Sequence, residues 1–232
     1  MRIDHKFEYC NGLYFYHSFD KNEWSPEWLH QLSLVIPQSF EIVKNYTSIT
    51  EFPEIFLISK TYSNRLRQRL HLPNWVVAIS FKSNIYIFFN HETKNWQEVI
   101  NHEMFHIGVY QTVQCVKTVP KWFNEAVAYY IGNNYRFNRQ RLLGYLRSNI
   151  NKVVKWMMED SLVENCSYNY DIIRSFGRFF CCLYNPNTVK TILNKIRVTQ
   201  DFHRAIKTVL HCNTHVLIKQ WYRRLEACGS IH

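Results

Sequence analysis

Residues 98–130 place charged and metal-ligating groups where helices should be apolar, and no other stretch constrains the fold as strongly. The run from Glu98 to Gly108, with Trp96 before it, spaces Val99, Ile100, Phe105 and Ile107 as a buried helix would. Into that pattern it sets His102, Glu103 and His106. A second run, Pro120-Lys-Trp-Phe-Asn-Glu-Ala-Val-Ala-Tyr-Tyr, carries one carboxylate, Glu125, amid Trp122, Phe123, Ala126, Val127 and Ala128. A carboxylate in such surroundings is costly unless a cation or a partner meets it. The pattern therefore predicts two helices held face to face around a shared charge.

The first run contains the H-E-x-x-H pattern as His102-Glu103-Met104-Phe105-His106. Helical residues four apart share a face, with Cβ atoms about 5–6 Å apart. His102 and His106 can thus reach one Zn²⁺ through neutral imidazole nitrogens at about 2.0–2.1 Å. Glu103, about a quarter turn away, is placed to reach a zinc-bound water rather than the metal. Zinc lowers the pKa of such a water toward about 7, and Glu103 then serves as general base. A catalytic zinc takes three protein ligands and keeps one position open. Glu125, nineteen residues after His106, is the candidate third ligand.

His102-Glu103-x-x-His106, then Glu125 within Trp-Phe-Asn-Glu-Ala, resembles the gluzincin metallopeptidases, the group that contains thermolysin and aminopeptidase N. The likeness is to the small, peptidase-MA-like members. It is specific over residues 98–130 and looser downstream, at Tyr170-x-x-x-x-Ser-Phe-Gly-Arg-Phe-Phe and Trp221-Tyr-Arg-Arg-Leu. The resemblance implies a zincin-like fold with a small sheet whose edge strand lies over the active-site helix. Asn84 to Asn90 is the expected edge, where an extended peptide adds as a further strand. It also implies an oxyanion donor from the helical lobe. Tyr170 holds the matching place, with Tyr168 and Arg174 as lesser candidates. Two features depart from the family. Tyr129 stands where thermolysin-like members carry an acid that supports a zinc histidine, so that support must come from elsewhere or from a backbone carbonyl. The Gly-x-Met-Glu-Asn element of the aminopeptidases is missing from residues 1–97, which favours an endopeptidase.

Upstream, aromatic and polar residues alternate on both sides of Asn11-Gly12, a hairpin signal. Ser25-Pro26-Glu27 opens a helix that Pro37 is expected to end or kink, with a second piece running to about Tyr46. Strands are expected at 54–59, 75–80 and 84–90, with a short helix at 61–70. Thr112 to Val119 reads as a loop over the site, and four or five helices follow Pro120. Strands before helices give an α+β chain. The expected organisation is one zincin-like domain over 1–232, with an α/β lobe carrying the active-site helix (1–110) and a helical lobe (111–232).

The N-terminal residues Met1-Arg-Ile-Asp-His-Lys lack the apolar core of a secretory signal, and no run approaches the ~18 apolar residues of a membrane span. Seven irregularly spaced cysteines suit a reducing compartment, so the expected location is cytoplasmic. The net charge of +10 raises the question of nucleic acid. Its Lys and Arg are scattered over amphipathic helices, and no nucleic-acid motif accompanies them. The expected partner is a peptide or protein substrate. The competing readings are a catalytically silent binding protein of the same fold, and a basic nucleic-acid-associated protein with structural zinc. The intact Glu103 speaks against the first. The second would need a closed, cysteine-rich ligand set, and only Cys115 lies near the motif.

Overall fold

The computed structural model describes residues 5–9, 13–17, 24–89, 95–161 and 167–227. Strands β1 (His5–Tyr9) and β2 (Leu13–His17) pair antiparallel, His5 opposite His17. The expected Asn11-Gly12 turn lies outside the described residues. Helix α1 (Pro26–Lys44) starts where its cap predicts, with the Ser25 hydroxyl accepting from the Trp28 N–H at 3.2 Å. It does not stop at Pro37. An internal proline costs about 3 kcal/mol, but Leu32 and Ile36 before it and Phe40 and Val43 after it are all buried. At about 1.5–3 kcal/mol for each large apolar side chain, this continuous buried stripe outweighs the proline.

Strand β3 (Glu54–Ile58) leads into α2 (Lys60–Arg69), capped by Ser59, and then to β4 (Ala78–Phe81) and β5 (Asn84–Phe88). The sheet order is β1-β2-β3-β5-β4. β3 runs parallel to both β2 and β5, while β4 pairs antiparallel with β5. The expectation that residues 84–90 form the edge is therefore corrected: β5 is interior and β4 is the edge. Ile85, Ile87 and Phe88 are fully buried, as an interior strand requires, whereas Phe81 of β4 is largely exposed. β4 also begins three residues later than expected, leaving Trp75, Val76 and Val77 in the approach to it.

Helix α3 (Trp96–Val113) is followed by a single 3₁₀ turn at Val116–Thr118 and by α4 (Lys121–Ile131). Then come α5 (Arg139–Met158), α6 (Ser167–Leu183), α7 (Pro186–Thr199), α8 (Phe202–Leu210) and α9 (Thr214–Ala227). Among the described residues six helices thus follow Pro120, not four or five. The extra break arises because Gln200 and His211 close α7 and α8 in the left-handed conformation, at φ 53° and 54°, with no glycine to announce it. The molecule is mixed α and β, mostly helical. None of its described helices is long and apolar enough to cross a membrane.

One cluster of buried side chains runs from Trp24 through Phe105, Trp122, Phe123 and Phe176 to Trp221. A smaller one, Phe56, Ile58 and Phe88, fills the other face of the sheet. Alternation along β3 serves both, since Ile55 and Leu57 point to the first and Phe56 and Ile58 to the second.

Candidate metal centre

Helix α3 is capped by Asn95, whose side-chain oxygen accepts from the Glu98 N–H at 3.3 Å. It presents His102 and His106 on one face. Helix α4 begins after Pro120, which offers no side-chain cap. Asp160, just past the end of α5, supplies one from a distance, its carboxylate accepting from the Lys121 N–H at 3.0 Å. The Trp122 indole donates to the Met157 carbonyl at 2.7 Å and ties the same turn to α5. On its other side α4 meets α6 at Gly177, where an added Cβ would lie 2.0 Å from the Ala126 carbonyl oxygen. That approach is possible only without a side chain.

So held, α4 aims Glu125 at the two histidines. His102 Nε2 and His106 Nε2 are 3.1 Å apart, and they lie 3.4 Å and 3.5 Å from the two Glu125 oxygens. Donors bound tetrahedrally to one ion at about 2.0–2.1 Å stand about 3.3–3.4 Å from each other. The three side chains therefore already have the spacing of a zinc ligand set, and their chemistry, two imidazoles and a carboxylate, suits that ion.

Further contacts orient the two histidines. Asn124 Oδ1 lies 3.0 Å from His106 Nδ1. An amide oxygen can only accept, so Nδ1 carries the proton and Nε2 keeps its lone pair toward the cluster. For His102, the Ala128 backbone carbonyl is a nearby acceptor that helps to raise its pKa. Tyr129 packs its ring against His102 at 4.8 Å. A backbone carbonyl and an aromatic ring thus stand beside His102, where the resemblance implied an acid. Neither Asn124 nor Ala128 was legible as a partner, because each role depends on how α4 is rotated against α3.

Burial alone would raise the Glu125 carboxyl, but His106 and His102 overcome it and hold it down at about 2. Burial works to lower His102, and the hydrogen bond and charge of Glu125 reverse this, so its pKa is raised. Without metal, the cluster is a half-buried carboxylate stabilised by its imidazoles.

The cluster opens onto a cavity of about 750 Å³, lined from α3 and α4 by Glu98, Glu103 and Tyr129, and from β4 and the approach to it by residues 75–80. Glu103 is buried at its wall. Tyr170 reaches it from α6, still 38% exposed. Arg174 lies over the Tyr129 ring at 4.9 Å and the Tyr170 ring at 6.0 Å, linking the two. Tyr168 instead stacks on Tyr145 at 4.3 Å and is not part of the lining. None of residues 112–119 lines the cavity. The expected loop over the site is corrected on two counts, because Thr112 and Val113 belong to α3.

The chain matches no protein-family model, no curated protein and no solved structure. What the site can do chemically follows from its own geometry.

That geometry offers an edge strand beside three converging donors. The Phe88 N–H donates to the Val77 carbonyl at 2.9 Å, and Ile79 and Phe81 continue the alternate bonded positions facing β5. The backbone N–H and C=O groups of Ala78 and Ser80 therefore point to the open side of the sheet, in the part of β4 that lines the cavity.

Proposed function

We propose that this chain is a zinc-dependent metallopeptidase of the gluzincin type, with a zincin-like fold, and that it cuts within peptide chains. His102, His106 and Glu125 are the ligands in this reading. The observation that carries it is the spacing of their donor atoms, 3.1, 3.4 and 3.5 Å, beside a second carboxylate, Glu103, on the same cavity wall. Zinc bound there supplies Lewis acidity, which polarises a carbonyl and acidifies water. Glu103 takes the proton from the attacking water and returns it to the departing amine. The substrate lies along β4, where the Ala78 and Ser80 backbone groups accept it as an added strand. Tyr170, from the facing helix, donates its hydroxyl to the carbonyl oxygen as charge develops there.

A cluster with no cysteine, open to a cavity, supports a catalytic rather than a structural zinc. The test is zinc content followed by proteolysis. Wild type and Glu103→Gln should each bind about one zinc, and Glu125→Ala much less. Only wild type should degrade an unfolded protein. Near-stoichiometric zinc in Glu125→Ala would remove the third ligand from the scheme.

A further inference from the structure

Leu70, Trp75 and Tyr170 are large apolar side chains left exposed at 48%, 63% and 38%, and all three line the cavity in front of His102, His106 and Glu125. Exposed apolar surface gathered at one cleft marks a place where something apolar binds. Trp75 is the most exposed of the three, and its setting is built rather than loose. The turn that carries it is fixed by Leu72 N–H to the Arg67 carbonyl at 2.8 Å and by Val76 N–H to the Pro73 carbonyl at 3.1 Å. The Arg67 guanidinium also donates to the Val76 carbonyl at 2.9 Å and lies 5.2 Å over the Phe88 ring.

Leu72 and Val76 pack against the small cluster of Phe56, Ile58 and Phe88. They anchor the turn, and Trp75 belongs to neither cluster of buried side chains. Its indole instead lines the cavity, where it meets the Tyr170 ring in a T-shaped contact at 6.2 Å and 82°. Trp75 comes from the approach to β4 and Tyr170 from α6, so the pair closes across the cleft between sheet and helices. Ile79 and Ile173 line the cavity as well.

We infer that Trp75 and Tyr170 form a specificity subsite that takes one bulky apolar side chain, aromatic or long aliphatic, of the peptide bound along β4. Trp75 precedes Ala78 by three residues, so the subsite is continuous with the strand edge that receives the peptide backbone. Insertion of the side chain exchanges the edge contact of Trp75 with Tyr170 for contacts of both rings with the substrate, and removes exposed apolar surface from water. The inference rests on the peptidase reading for the path of the peptide. It makes its own demand, that binding depends on one side chain and on Trp75.

The test is equilibrium binding, so that cleavage does not enter. Fluorescein-labelled peptides of otherwise identical Gly/Ser sequence, with Ala, Leu, Phe or Trp at one central position, are titrated by anisotropy with zinc-loaded Glu103→Gln. Affinity should rise about tenfold to a hundredfold from Ala to Phe. Adding Trp75→Ala should bring the Phe-over-Ala ratio close to one, and Trp75→Phe should keep most of it. The inference is overturned by an unchanged ratio in Trp75→Ala, by equal binding of all four peptides, or by no binding of any. Failure of the peptidase reading shows separately, as wild type leaving bound peptides uncut.

Discussion

At the scale of single residues, the proposed function makes the site a contest between protons and a metal for the same lone pairs. The raised His102 pKa means that, without metal, its contribution to stability is full below its ordinary value of 6.5 and is lost as pH rises through the folded value. Glu125 works in the other direction. Its contribution is full above 4.5 and is lost as pH falls toward about 2. The metal-free protein should therefore gain most from this pair between those two ordinary values. Zinc needs His102 neutral, so its affinity should weaken as pH falls through the raised His102 pKa. Thermal melts across pH, with zinc and with a chelator, should show the zinc-dependent gain in Tm growing from pH 5 to pH 8. A gain that is flat over that range would mean no proton is displaced from His102. The grouping of His102, His106 and Glu125 was readable in advance: His102 and His106 lie four apart on one helix, and Glu125 is conspicuous in an apolar turn. Asn124, the Ala128 carbonyl and Trp75 were not, since their roles arise from the packing of one element against another.

At the scale of elements, helix α4 decides whether Glu125 reaches the two histidines. Its N-terminus is capped by Asp160 of a distant segment and its flank is pressed onto α6 at Gly177. Gly177→Ala puts a methyl group against the Ala126 carbonyl, and neither helix backbone can yield cheaply. The expected cost is about 1–3 kcal/mol, read as a lower Tm with chelator present. The displaced α4 should also weaken zinc binding. Gly144→Ala is the control, because a Cβ there meets nothing within 4 Å. Equal Tm and zinc affinity in both variants would contradict this account of the α4–α6 contact. The elements that the sequence concealed have physical reasons for it. Packing on both sides of Pro37 carries α1 through a residue that usually ends a helix. Gln200 and His211 end theirs in a conformation usually left to glycine. The order β3-β5-β4 follows from long-range pairing, which residue patterns along one strand do not encode.

At the scale of the whole molecule, the sheet and the later helices form two walls of one cleft, with α3 and α4 between them. β4 offers an open backbone edge, α6 brings Tyr170, and the net charge of +10 is carried mainly outside this cavity, whose lining includes Glu98, Glu103, Glu125 and Asp160. The central claim, that this cleft hydrolyses peptide bonds with Glu103 as base, is tested most directly by cleavage profiling. Zinc-loaded wild type and Glu103→Gln are incubated with the same complex peptide mixture, and new termini are identified by mass spectrometry. The account predicts internal cuts by wild type that chelator abolishes and that Glu103→Gln fails to make while retaining its zinc. The same new termini from both proteins, or none from wild type, would contradict it.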